Sequence, residues 1–208
     1  MKVSIPKEQL SVLPRVEYPG KYIVIETADD ELSAMNELLR YKLVGFDTET
    51  KPSFKKGQPN KVSLIQISTG EVCYLFRINK LGLSDKLKSF IESPDISKIG
   101  LSLKDDFSVL HRSGEITPEG FVDLQTFVKK YSIEDSSLQK IFAILFGERI
   151  SKSQRLSNWE ADELTESQKI YASIDAWACL KIYNYLISGK FDPLKSPYFM
   201  PESSLDEN

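Results

Sequence analysis

The chain has 208 residues, 41% hydrophobic and 27% charged, with a net charge of −3. This supports one well-buried domain and gives no case for two, while the acidic balance argues against a partner held by a general basic surface. Cys73 and Cys179 alone make no disulfide scaffold, no stretch approaches membrane-span length, and Met1–Pro6 lacks an apolar secretion core. The expectation is an intracellular setting, cytoplasmic or, in a eukaryote, nuclear, with no membrane partner and no organic cofactor.

Residues 1–20 carry Pro6, Pro14 and Pro19 and read as an irregular arm. A strand is predicted near 22–25 and a helix near 31–41. Leu43-Val44-Gly45-Phe46-Asp47-Thr48-Glu49 then reads as a strand whose side chains alternate faces, so Asp47 and Glu49 share one face with Cα atoms roughly 6.6 Å apart. Two carboxylates so placed repel unless a cation lies between them, and the strand holds no Lys or Arg; an exposed strand end is the other reading. The following loop, 51–61, has four lysines (Lys51, Lys55, Lys56, Lys61) and Phe54, a composition that suits either a phosphate backbone or plain solvent.

Further strands are predicted near 61–68, 71–76 and 96–101, with a helix near 85–93. Leu64 and Gln66 lie on the first of these strands, where they either wall a pocket or pack in the core. After Gly100 the sequence turns polar and then apolar-periodic, placing Asp105 and Asp106 at a helix start, where acidic residues are favoured by the dipole alone. Spacing does not choose between the two. The second half reads as largely helical, with a basic run at Arg149–Arg155 that contains Lys152. Trp159 and Trp177 sit in no basic run and read as core aromatics.

Thr165-Glu166-Ser167-Gln168 fits a capping box, and Gly189 sits where the helix that it opens should stop. Tyr171, Asp175, Ala178, Ile182 and Tyr185 follow one helical face, so Asp175 interrupts an apolar stripe with Tyr171 one turn before it. A buried aspartate bonded to a tyrosine would look the same. Residues 190–208, with Pro193, Pro197 and Pro201, read as a loose tail that Tyr198, Phe199 and Met200 would dock.

Asp47-x-Glu49, Asp106 and Tyr171-x-x-x-Asp175 resemble the three motifs of the DEDD 3′-to-5′ exonucleases, in the subgroup with Tyr in the third motif. Lys61–Ser68, Cys73–Phe76, Lys98-Ile99-Gly100, Ser157-Asn158-Trp159 and Leu164–Ala172 resemble the flanks of Werner-type exonuclease domains, with RNase D more distant. The resemblance spans roughly 22–188 and aligns Asp106 rather than Asp105 with the second motif. It implies a ribonuclease H-like α/β fold, a mixed sheet flanked by helices, with an exonuclease domain over 21–189.

The resemblance also implies catalysis by Asp47, Glu49, Asp106, Tyr171 and Asp175. The four carboxylates would hold two divalent cations, Mg²⁺ or Mn²⁺, about 3.5–4 Å apart. Tyr171 would orient the attacking water, and Leu64, Gln66, Lys152 and Arg155 would contact the 3′ end of DNA, favoured, or RNA. A metal-dependent hydrolase of short oligonucleotides or small phosphodiesters, and a non-catalytic nucleic-acid-binding module, are the alternatives.

Overall fold

A computed structural model describes residues 2–52 and 61–201. In chain order it contains β1 (Lys2–Val3), α1 (Lys7–Val12), β2 (Lys21–Ile25), α2 (Ala28–Leu38), β3 (Leu43–Thr50), β4 (Val62–Ser68), β5 (Val72–Arg77), α3 (Ile78–Leu81), α4 (Asp85–Ile91) and β6 (Ser97–Gly100). It continues through α5 (Leu103–Ser113), β7 (Phe121–Asp123), α6 (Leu124–Phe127), α7 (Leu138–Phe146), α8 (Glu166–Ile187) and β8 (Phe199–Met200), with 3-10 turns at Val128–Tyr131 and Pro193–Lys195. Six strands form one mixed sheet in the order β2-β5-β4-β3-β6-β7, in which β4 runs antiparallel to both neighbours and the other pairs are parallel. This is the expected mixed sheet flanked by helices. Among the described residues no helix is long and apolar enough to cross a membrane.

The alternation of β3 decides which face carries chemistry. Val44 and Phe46 point into a core shared with Met35 and Leu38 of α2, Leu87 and Phe90 of α4, and Leu103 and Leu110 of α5. Gly45, Asp47 and Glu49 point the other way, toward α8. A Cβ built on Gly45 would lie 1.9 Å from the carbonyl oxygen of Ala176, so only glycine lets the α8 backbone rest on β3 at this crossing. Ala172 and Ala176, both fully buried, continue that close seat beside Leu64 and Leu75.

Two predicted features differ in part from the structure, and a third is borne out. The arm at 1–20 is irregular only in part: it forms β1 and α1, Val3 and Ile5 have no exposed surface, and residues 13–20 follow without helix or strand apart from an isolated bridge at Arg15. The tail docks as expected through Tyr198, Phe199 and Met200, the last two forming β8, which pairs antiparallel with β1; residues 202–208 lie outside the described residues. The apolar stripe of α8 is really a helix buried on every side from Ala172 to Leu180, because the sheet covers one flank while Phe142 of α7 and Tyr18 pack on Trp177. Strand β7 carries no signal beyond three residues and was not expected.

The Gly45 contact gives a direct test. Gly45→Ala should cost about 1–3 kcal/mol through overpacking, seen as a lower urea midpoint with unchanged slope. Undiminished stability would show that α8 does not bear on Gly45.

Candidate active site

Residues from opposite ends of the fold converge where α8 crosses β3. Thr165 caps α8 by accepting from the Gln168 amide at 3.3 Å, and the Gln168 side chain accepts from the Thr165 amide at 3.0 Å, completing the predicted capping box. The Gln168 Nε2 also donates to Asn158 O at 3.2 Å, anchoring the preceding loop. Asp175 then falls one residue before Ala176, the contact of Gly45. Asp47, Glu49 and Asp175 are thereby brought together, each offering a carboxylate oxygen within 4.8 Å of the others.

These three carboxylates, with Tyr171, line a cavity of about 430 Å³. Lys152 and Arg155, both exposed, line it too, as expected from the basic run. The remainder of the wall mixes polar side chains, Ser102, Gln125, Ser136, Ser137, Gln139 and Ser151, with the apolar Leu101, Leu138 and Ile150 and with Cys179. Sequence reasoning did not single out these Ser and Gln residues; the Ser137 N-cap of α7 is the only local signal among them. Leu64 and Gln66 do not line the cavity. Both are fully buried; Leu64 packs with Trp159, Ala172 and Ala176, and Gln66 stands in register with Asp47. Trp159 and Trp177 are buried, and Trp159 rests 6.1 Å, ring to ring, from Tyr171. In the lysine-rich loop, Lys55 and Lys56 lie outside the described residues, and Lys51 pairs with Glu160 at 3.2 Å.

Asp106 stands just outside the three-carboxylate group. It is buried in the first turn of α5, whereas Asp105 is exposed, and it accepts a short hydrogen bond from the Thr48 hydroxyl. Asp123, at the end of β7, positions that turn. Its carboxylate accepts from the backbone N–H of Ser102 at 3.1 Å and Leu103 at 3.0 Å, taking the capping role that Ser102, with φ of +62°, does not fill.

The electrostatics favour a cation. Burial, then the charges of Asp106, Asp175 and Glu49, push Asp47 well above the usual carboxylate range. Burial with Asp175 and Asp106 raises Glu49 to about 9, and burial raises Asp175 to about 7 and Asp106 to about 6. Arg155 opposes the shift of Glu49 and Lys152 that of Asp175. Among the described residues no ion pair reaches any of the four. An oxygen-only cage strained by like charge fits a hard divalent ion. Tyr171, half-buried and facing Asp175, Glu49 and Asp47, has its phenol pushed far above its ordinary value, so it remains an O–H donor.

Comparison with known proteins gives a consistent picture. The profile described as 3′-5′ exonuclease matches residues 22–188. The mouse bifunctional 3′-5′ exonuclease/ATP-dependent helicase WRN is 35% identical over 185 residues, covering 84% of this chain, which spans only 13% of that protein's length. Escherichia coli RNase D superposes with a TM-score of 0.70 at 25% identity, covering 80% of this chain and 44% of that one. The Aedes aegypti Nibbler EXO domain shares the fold, with a TM-score of 0.72 at 24% identity over 88% of this chain and 95% of that one.

The raised carboxyls set a pH dependence. Each keeps its proton in the folded chain at a pH where the unfolded chain has released it, so cation-free stability should fall as pH rises from near 4 through about 9. Melting temperatures in chelator should drop across this window, and Mg²⁺ should raise them more at pH 8 than at pH 5.5. A flat profile with no Mg²⁺ shift at either pH would contradict the cage.

Proposed function

The chain belongs to the 3′-5′ exonuclease family, and on that footing we propose that it shortens nucleic acid from the 3′ end by hydrolysing phosphodiesters, releasing nucleoside 5′-monophosphates. The observation that carries this reading is the convergence of Asp47, Glu49 and Asp175 within 4.8 Å, at a cavity with Lys152 and Arg155 on its rim. DNA is the favoured substrate, on the strength of the 35% identity to a protein named as a WRN exonuclease and helicase. RNA is the second reading, favoured by the likeness to Escherichia coli RNase D, an exoribonuclease.

Asp47, Glu49 and Asp175 would hold one divalent cation, and Asp47 with Asp106 would hold a second, Mg²⁺ or Mn²⁺. Bound there, the cations supply positive charge for the attacking and departing oxygens. The chain's own groups do the rest. Lys152 and Arg155 attract the phosphate backbone to an otherwise acidic protein. Tyr171, held protonated, is a hydrogen-bond donor that orients the attacking water, and not a general base. Trp159 behind it fixes the ring. Water adds to phosphorus, the bond to the 3′ oxygen breaks, and the shortened strand keeps a 3′-hydroxyl.

A time course on 5′-labelled DNA and RNA oligonucleotides tests this. The parental chain should give a descending ladder that needs divalent cation, and Asp47→Ala should lose about 10³-fold in rate, roughly 4 kcal/mol. Binding without shortening would contradict the proposal. Tyr171→Phe should slow turnover about 100-fold while leaving Mn²⁺ affinity unchanged; full activity in that variant would remove Tyr171 from the reaction.

A further inference from the structure

The match to the exonuclease family begins at residue 22, yet the segment before it is hydrogen-bonded to two stretches that lead into the wall of the cavity. Val3 bridges Ile133 in parallel: the Val3 N–H donates to Ser132 O at 2.8 Å and the Glu134 N–H to Val3 O at 3.0 Å. The buried Asp135 is then claimed from three sides. Its Oδ2 accepts from the Ile5 N–H at 2.9 Å and the Ser4 hydroxyl at 3.0 Å, and its Oδ1 accepts from Lys140 Nζ at 2.7 Å. The next two residues, Ser136 and Ser137, face the cavity. Farther along, residues 13–16 grip Arg149: its N–H donates to Pro14 O at 2.8 Å, its Nε to Leu13 O at 2.9 Å, and its O accepts from the Val16 N–H at 3.1 Å. Ile150, Ser151 and Lys152, which follow, line the cavity as well. Gln139 ties the two stretches together, its Nε2 donating to Ile150 O at 2.7 Å.

We infer that residues 2–16 form a brace that holds the wall opposite the carboxylates in place, with Asp135 as a positioning residue that sets affinity for the nucleic-acid 3′ end. This rests on the exonuclease reading above. The brace touches neither the carboxylates nor Tyr171, so its loss loosens the grip on substrate and spares the chemical step. A buried carboxylate held at both oxygens by three hydrogen bonds has one geometry, and that geometry fixes the backbone from which Ser136 and Ser137 project.

The test is steady-state kinetics on a single-stranded oligonucleotide. Asp135→Ala should raise KM about 10-fold with kcat and Mn²⁺ affinity unchanged, the pattern of lost uniform binding. Asp135→Asn, which still accepts from Ser4 and Ile5, should return most of it. Should Asp135→Ala not fold, the milder Ser4→Ala/Lys140→Met pair should give a KM rise of about 3-fold. Unchanged KM in the folded variants, a fall of kcat and Mn²⁺ affinity in step, or failure of both sets to fold would overturn the inference. A parental chain that makes no ladder would instead overturn the exonuclease reading, which distinguishes the two failures.

Discussion

The seating of α8 on β3 governs this site. The Ala176 carbonyl occupies the space where any side chain at position 45 would begin, so the helix comes within reach of the strand only because that residue is glycine. Everything acidic follows from this approach. With Gly45 under the helix, Asp47 and Glu49 continue along the same face of the strand and Asp175 leaves the helix one residue before the contact. Three carboxylates from two elements are forced together by apolar packing that does not itself contain a charge. Buried small residues, Ala172 and Ala176, sustain the seat, and the capping box at Thr165 fixes where the helix starts and so which residue faces the strand.

Packing of that kind charges an electrostatic cost to the folded chain. Four carboxyls are pushed above their ordinary range, first by burial and, for Asp47 and Glu49, also by one another, while the nearby cations Lys152 and Arg155 sit at the rim and relieve it only in part. A structural cluster would carry a buried arginine or lysine partner, as Arg77 does for Glu26 elsewhere in this fold. The absence of such a partner among the described residues is what separates a cage for a hard ion from an ordinary polar core. A chain of net charge −3 can still suit a polyanionic substrate, because Lys152 and Arg155 stand at the mouth of the cavity that holds the carboxylates.

Much of this was legible locally. Alternation around Phe46 placed Asp47 and Glu49 on one face, the capping box located α8, and Tyr171 and Asp175 fell on one helical line. Local pattern also read the sheet strands through β6 to within a residue or two, because each is a short β-branched or aromatic run bounded by turns. The misses share a cause. Val3 and Ile5 look like an arm because nothing near them in sequence buries them; their partners lie about 130 residues away. The all-round burial of α8 depends on Tyr18 and Phe142 packing on Trp177, contacts that no periodicity encodes. Asp123, which caps α5 from a three-residue strand, and the Ser and Gln residues of the cavity wall have common side chains, and only tertiary closure gives them a role.

The central claim is that Asp47, Glu49 and Asp175 form one cation site. Anomalous scattering from crystals grown with Mn²⁺ and a nucleoside 5′-monophosphate tests it most directly. The account predicts a peak coordinated by oxygens of all three residues; a map with no peak there, while manganese is found elsewhere on the protein, would contradict it.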